Sequence, residues 1–231
     1  MKVEAVIVAA GKGVRFGNNQ PKQFLPLVGK SVVEWTILRF ENCPSVNSVI
    51  LVVPEGMKER LEEKICFSKY RKLRKITEGG KERTDSVYKG LLCVDEDTDI
   101  VLVHDGVRPL VSPLLIEEVI RQTEIYGAAI PGIPVKETIK EKDKEGMVVR
   151  TLPREKIFLI QTPQGFKYSI IKDAHEQAQI EHLKGSDDAF LLEKLGWKVK
   201  IIPGEEKNIK ITTFFDFKIA EMLLREEERK R

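Results

Sequence analysis

A chain of 231 residues, 42% hydrophobic and 32% charged, is long enough to bury a full core and polar enough at its surface to stay in water. Its 39 basic and 36 acidic residues leave a net charge of only +3, which argues against general nucleic-acid binding. No run approaches ~18 apolar residues, so no membrane span is expected; the dispersed Cys43, Cys66 and Cys93 and the chain's three histidines have no zinc-site spacing. Free thiols, and a start that runs into a strand without a leader, lead to the expectation of a cytoplasmic protein.

In chain order, the apolar run at 3–8 reads as a first strand, followed by AAGKGVRFGNNQPKQF at 9–24. Ser31-Val-Val-Glu34 then reads as a capping box that opens a helix burying Val33, Ile37 and Phe40. Further strands are expected at 48–53, 72–77, 99–104, 128–133 and 198–202. Helices are expected at 56–67, 84–93, 113–126, 168–179, 187–195 and 215–226. Strand–helix alternation of this kind predicts an α/β fold with a mostly parallel twisted sheet flanked by helices. No linker or repeat divides residues 1–231, so one domain is expected. The polar stretch at 135–154, with a turn around Asp143-Lys-Glu-Gly146, reads as a protruding β-arm that is stable chiefly if another surface packs on it.

Ligands of parallel sheets gather at the carboxyl ends of the strands, which is where the 9–24 loop falls. The loop matches neither familiar phosphate template. Gly11 and Gly13 begin a dinucleotide fingerprint, but the third glycine comes one residue late, at Gly17. Gly29-Lys30-Ser31 ends like a P-loop, yet Phe24 stands where that motif needs its first glycine. What remains is close backbone approach at the glycines plus two cations, Arg15 and Lys22, the latter restrained by Pro21. Two such cations near one phosphorus suit a displacement in which charge builds on oxygen. GGKERTDS at 79–86 adds Gly80, Arg83 and Ser86 at a strand–helix junction, where Ser86 serves either a ligand or the helix start. Asp105 in LVHDGVRP is the metal candidate, through a magnesium–triphosphate or a ribose. Arg108 either pairs with it or meets substrate, and His104 reads as structural.

Taken together, AAGKGVRF, PKQF, GGKERTDSV, HDGVRP, PVKETIK, QTPQGF, SDDA and NIKITT run in order through nearly the whole chain. In this the chain resembles the 2-C-methyl-D-erythritol 4-phosphate cytidylyltransferase family of non-mevalonate isoprenoid precursor synthesis. The resemblance implies a Rossmann-like nucleotidyltransferase fold, a homodimer formed through the β-arm, CTP and a polyol phosphate as substrates, and Mg2+ as the divalent cation. It implies that Ala9, Ala10, Gly11, Gly13, Gly80, Ser86 and Asp105 bind the nucleotide. Arg15, Lys22, Arg154 and Lys210 would be catalytic. Arg108, Thr138, Thr162 and Ser186 would bind the acceptor, with Thr138 and Arg154 reaching a partner's site.

Three other readings compete. Ribitol-5-phosphate cytidylyltransferases share the HD-x-VRP-like stretch and a similar ending, whereas RTDSVYKGL and PVKETIK favour methylerythritol. A non-catalytic nucleotide-binding module would not need Arg15, Lys22 and Lys210 together. A sugar-1-phosphate nucleotidyltransferase fits neither the PKQF spacing nor the arm.

Overall fold

The computed structural model describes residues 1–11, 21–64, 69–183 and 185–230. The apolar run at the start forms β1 (Val3–Val8). It is followed by a short antiparallel pair, β2 (Pro26–Leu27) and β3 (Lys30–Ser31), and by α1 (Val32–Glu41). Next come β4 (Ser48–Val53), α2 (Lys58–Lys64), β5 (Leu73–Glu78), α3 (Arg83–Leu91), β6 (Ile100–Asp105) and α4 (Pro113–Tyr126). The second half holds β7 (Ala128–Pro134), β8 (Ile139–Lys142), β9 (Val148–Leu152), β10 (Phe158–Ile160), β11 (Gln164–Lys167), α5 (Tyr168–Ile180), α6 (Asp188–Lys194), β12 (Lys200–Pro203) and α7 (Phe214–Arg229).

Most boundaries follow local chemistry. Ser31 and Glu34 make the reciprocal capping box, and Val33, Ile37 and Phe40 are buried as the spacing predicts. Ser112 caps α4 with Pro113 in its first turn, and Gly127 ends the helix at φ 83°, where any side chain would be strained. The expected helix at 56–67 is observed as α2, and its expected end lies outside the described residues.

Eight strands form one sheet, ordered β10-β7-β11-β6-β1-β4-β5 with β12 also on β7. The pairs β1–β4, β1–β6, β4–β5 and β7–β12 are parallel. Strand β11, which the sequence reading did not anticipate, runs antiparallel between β6 and β7. Its Gly165 explains how: a Cβ there would fall 2.2 Å from Thr123 Oγ1 and 2.7 Å from Val119 Cγ1, so only glycine lets α4 lie on that strand. Apolar side chains fill both faces. One cluster joins the sheet to α1 and α4, and the other joins it to α3, α5 and α6. A third, with Leu27, Trp35, Ile211 and Leu224, seats α7 on α1 and the β2–β3 turn.

The expected arm is the β8–β9 hairpin, paired from Ile139↔Leu152 to Lys142↔Val148 and turning at Gly146 with φ 91°. It forms a sheet of its own. Met147, Val148 and Val149 are exposed along it, an apolar tip on an otherwise polar ribbon.

Candidate active site

Register brings three strand ends together. Val8 is level with both Val52 and Asp105, and Val53 is level with Glu78, so the segments after β1, β5 and β6 leave the sheet at one edge. Because β11 runs the opposite way, its beginning returns to that edge, with Gln164 level with Val103.

Two contacts fix the segments that follow β1 and β5. Gln23 is buried in the Lys22–Phe24 turn, and its amide donates to Ala9 O at 2.6 Å and Gly11 O at 2.8 Å. This staples the returning loop, and with it Lys22, to the end of β1. Gly79 then lets the segment after β5 pack against the segment after β1: a Cβ there would lie 2.5 Å from Ala10 Cβ and 2.6 Å from Ser86 Oγ. The Ser86 hydroxyl accepts from the Gly80 amide at 3.1 Å and donates to Glu82 O at 3.0 Å, so Ser86 organises the turn at the start of α3. Arg15 and Gly13 lie outside the described residues.

Asp105, at the end of β6, sits among three cations. Lys210 Nζ is 2.9 Å from Oδ2, Arg108 Nε is 3.4 Å from Oδ2, and Arg83 Nε is 3.8 Å from Oδ1. Burial by itself would raise the carboxyl's pKa, but Lys210, then Arg83 and Arg108, hold it well below the usual carboxylate range. Lys210 is held from behind. Gln161 accepts from Glu205 N and donates to Glu205 O, Asn208 Nδ2 donates to Thr162 O at 2.8 Å, and Arg108 donates to Asn208 O at 2.7 Å. Ile211 N donates to Val107 O at 2.9 Å. A loop whose own residues are mostly polar is thus clamped to the sheet.

Arg108 and Thr162, expected at the acceptor, have their polar atoms committed within the protein. Arg108 bonds Asp105 and the 205–212 loop. The Thr162 hydroxyl accepts from Asp105 N at 3.1 Å and faces His104 Nδ1 at 3.0 Å. The Thr162 hydrogen therefore goes to Nδ1, and the Nε2–H of His104 donates to Arg108 O at 3.2 Å, which sets one neutral tautomer. With Phe40 against its ring and no exposed surface, His104 holds Asp105 in place rather than exchanging protons. Ser186 is exposed just before α6, and Thr138 and Arg154 are exposed at the foot of the arm, where Arg154 donates to Lys136 O. Lys136 in turn pairs with Glu206 of the 205–212 loop, so the foot of the arm is tied to the loop that carries Lys210.

His104 carries a pH prediction. Burial lowers its pKa from 6.5 to about 3. Between those values the unfolded chain binds a proton that the folded chain refuses, so stability falls as pH drops below 6.5. At pH 4 the loss is about 3 kcal/mol. Thermal melts of wild type and His104→Gln between pH 7 and 4 check this. The variant should show the shallower acid limb, and parallel curves would refute the assignment.

Among the described residues no group of three or more His, Cys, Asp and Glu side chains can hold a metal. Asp105 is a single carboxylate with cations facing both of its oxygens. That donor set suits an ion carried in by a triphosphate rather than one held by the protein.

The residues to which sequence reasoning gave no role are Gln23, Gln161, Gln164, Asp188 and Asn208, neutral amides for the most part. Gln164 accepts from Asp188 N and Ala189 N and donates to Asp187 Oδ2, tying the start of α6 to β11. Burial would raise the Asp188 pKa, but Arg83 and the His175 ring hold it down at about 2. Only burial distinguishes these amides from surface ones, and periodicity does not report burial in a loop.

Residues 3–226 match the family model described as IspD, 2-C-methyl-D-erythritol 4-phosphate cytidylyltransferase. The chain belongs to the 2-C-methyl-D-erythritol 4-phosphate cytidylyltransferase family. A family member of that name from Pelotomaculum thermopropionicum is 45% identical over 225 residues, covering 97% of this chain and 94% of the relative. A second, from Clostridium botulinum, is 45% identical over 222 residues, covering 96% and 99%. Among solved structures, the 4-diphosphocytidyl-2C-methyl-D-erythritol synthase of Anaerococcus prevotii superposes with a TM-score of 0.85 at 31% identity, covering 97% of this chain and 98% of its own. The 2-C-methyl-D-erythritol 4-phosphate cytidylyltransferase of Thermus thermophilus gives 0.80 at 33%, covering 97% and 100%. Family membership agrees with the mixed, mostly parallel sheet and with a nucleotidyltransferase activity.

Proposed function

We propose that the chain transfers the cytidylyl group of CTP to 2-C-methyl-D-erythritol 4-phosphate and releases diphosphate, as a cytoplasmic homodimer. An oxygen of the acceptor phosphate attacks the α-phosphorus in line. The new P–O bond forms as the bond to the diphosphate oxygen breaks. A phosphate monoester is largely ionised near neutral pH, so the step needs no strong base and no protein nucleophile, and His104 is not required to supply either.

What the step does need is compensation of charge between two polyanions. The backbone of Lys22 is stapled beside the end of β1 through Gln23, and Lys210 is held 2.9 Å from Asp105 at the end of β6; the meeting of these two lysine-bearing segments at one sheet edge is the observation that supports the proposal. Arg15, outside the described residues, supplies a third cation. Magnesium enters as the ion of Mg·CTP and offsets triphosphate charge. Ala9, Ala10, Gly11, Gly13 and Gly80 allow close backbone approach to the nucleotide, with Ser86 supporting the Gly80 turn. Asp105 serves as the anchor of Lys210 and as a partner for the ribose. Ser186 meets the acceptor, Arg108 and Thr162 hold the groups that do so, and Thr138 and Arg154 of each arm complete the site of the other subunit.

Diphosphate release with CTP, magnesium and either polyol phosphate tests the reading. Turnover with methylerythritol phosphate well above that with ribitol 5-phosphate is expected. The reverse preference would reassign the acceptor, and no release with either would make the chain a binding module.

A further inference from the structure

Behind the Asp105 edge lies a second buried carboxylate that the transfer step does not use directly. Asp188, at the start of α6, is 1% exposed. Its Oδ2 accepts from Arg83 at 2.7 Å, and its Oδ1 lies 3.1 Å from Nε2 of the fully buried His175 on α5. A buried charge is costly unless it does something its neighbours need. The helix does not need it: Asp187 is the N-cap of α6, and Gln164 takes the Asp188 and Ala189 amides. Nor does α3 need the Arg83 side chain, because Glu82 and Asp85 make its capping box.

His175 is equally out of place as mere packing. With Nε2–H given to Asp188, its Nδ1 is buried without a hydrogen-bond partner, an orphan that a leucine would not create. The ring is braced by Tyr88, stacked at 6.5 Å with 4° between planes. These contacts form one line: His175 to Asp188, Asp188 to Arg83, Arg83 across 3.8 Å to Asp105, and Asp105 to Lys210.

We propose that Asp188, oriented by His175, is a positioning residue of the transfer reaction, acting through Arg83. It draws the guanidinium away from Asp105, so that the Asp105 carboxylate keeps Lys210 as its close partner. Without that pull, Arg83 closes the gap and competes with Lys210 for the same carboxylate. The inference rests on the reading of the Asp105–Lys210 edge as the transfer site.

The test is a double-mutant cycle on the full-length enzyme with Mg·CTP and methylerythritol phosphate. Asp188→Asn, which keeps the shape and removes the charge, should lower kcat about tenfold while leaving the KM for CTP within about twofold. In an Arg83→Gln background the same substitution should change kcat by less than about twofold, because its route of action is gone. A tenfold loss in both backgrounds would overturn the proposal. Since Asp188→Asn leaves Arg83 half-paired and threatens folding, a second pair stands beside it. His175→Gln places an amide donor near the lost Nε2 and should retain most of the turnover, whereas His175→Leu should lower it about as far as Asp188→Asn. Equal activity of those two variants would refute the role of His175. Wild-type turnover is measured first: its absence overturns the proposed reaction, while an active wild type with an additive cycle overturns only the positioning role.

Discussion

Lys22→Ala lowers kcat about a hundredfold and leaves CTP affinity within about threefold, the loss of one fixed cation worth ~3 kcal/mol in the transition state. The expectation follows from how rigidly the ammonium's stem begins. Pro21 sets the backbone at φ −58° on one side. On the other, Gln23 is 2% exposed with both amide hydrogens committed to the end of β1. The charge is also felt at the start of α7. Against the upward pull of burial, the Thr213 and Thr212 amides together with Lys22 hold the Asp216 carboxyl below its ordinary range. A cation whose backbone is fixed before substrate arrives needs less reorganisation during displacement, which is why its removal should cost turnover more than binding. Stopped-flow or single-turnover kinetics alongside calorimetric CTP binding separate the two. Near-normal turnover with collapsed CTP affinity would leave Lys22 as a binding residue alone.

Mixing two strongly impaired variants, Arg154→Ala and Lys22→Ala, restores activity. The arm stands off the main sheet, Arg154 and Thr138 are exposed at its foot, and Met147, Val148 and Val149 present an apolar tip. If each site combines Lys22 of one subunit with Arg154 of the other, a heterodimer holds one intact site and one doubly damaged site. Free exchange makes half of the dimers mixed, so recovery should plateau at about a quarter of wild-type activity. Exchange is followed independently by tagging one variant. Tagged heterodimers that form yet stay inactive would show that the site belongs to a single subunit.

Much of the fold could be read before any coordinates because local chemistry and tertiary packing agree there. Ser112, Pro113 and Gly127 delimit α4 to the residue, and the apolar runs of β1, β4 and β6 allow no state but a strand buried on both faces. β11 escaped because Gln164-Gly165-Phe166-Lys167 has no strand pattern of its own; β6 and β7 impose the extended state on it. The hairpin was visible through its glycine turn and alternation. In the site, charged residues in loops drew notice, while the amides that hold them did not. Lys210 and Asp105 are far apart in sequence, and no spacing rule relates them. Their meeting depends on Gln161 and Asn208, whose character as clamps exists only once they are buried.

The clamp on the 205–212 loop has a consequence for how this segment tolerates change. Gln161 grips the backbone of Glu205, not its side chain, and Arg108 and Val107 likewise hold main-chain atoms of Asn208 and Ile211. The address of the Lys210 ammonium is therefore written in the sheet edge and in the peptide groups of the loop. An exposed position such as Lys207 is free to drift in sequence, because the path of the chain does not pass through its side chain, whereas the Glu206 carboxylate pairs with Lys136 at the foot of the arm. Gln161 and Asn208 carry no charge and lie away from the chemistry, yet they are the positions where drift would move the cation.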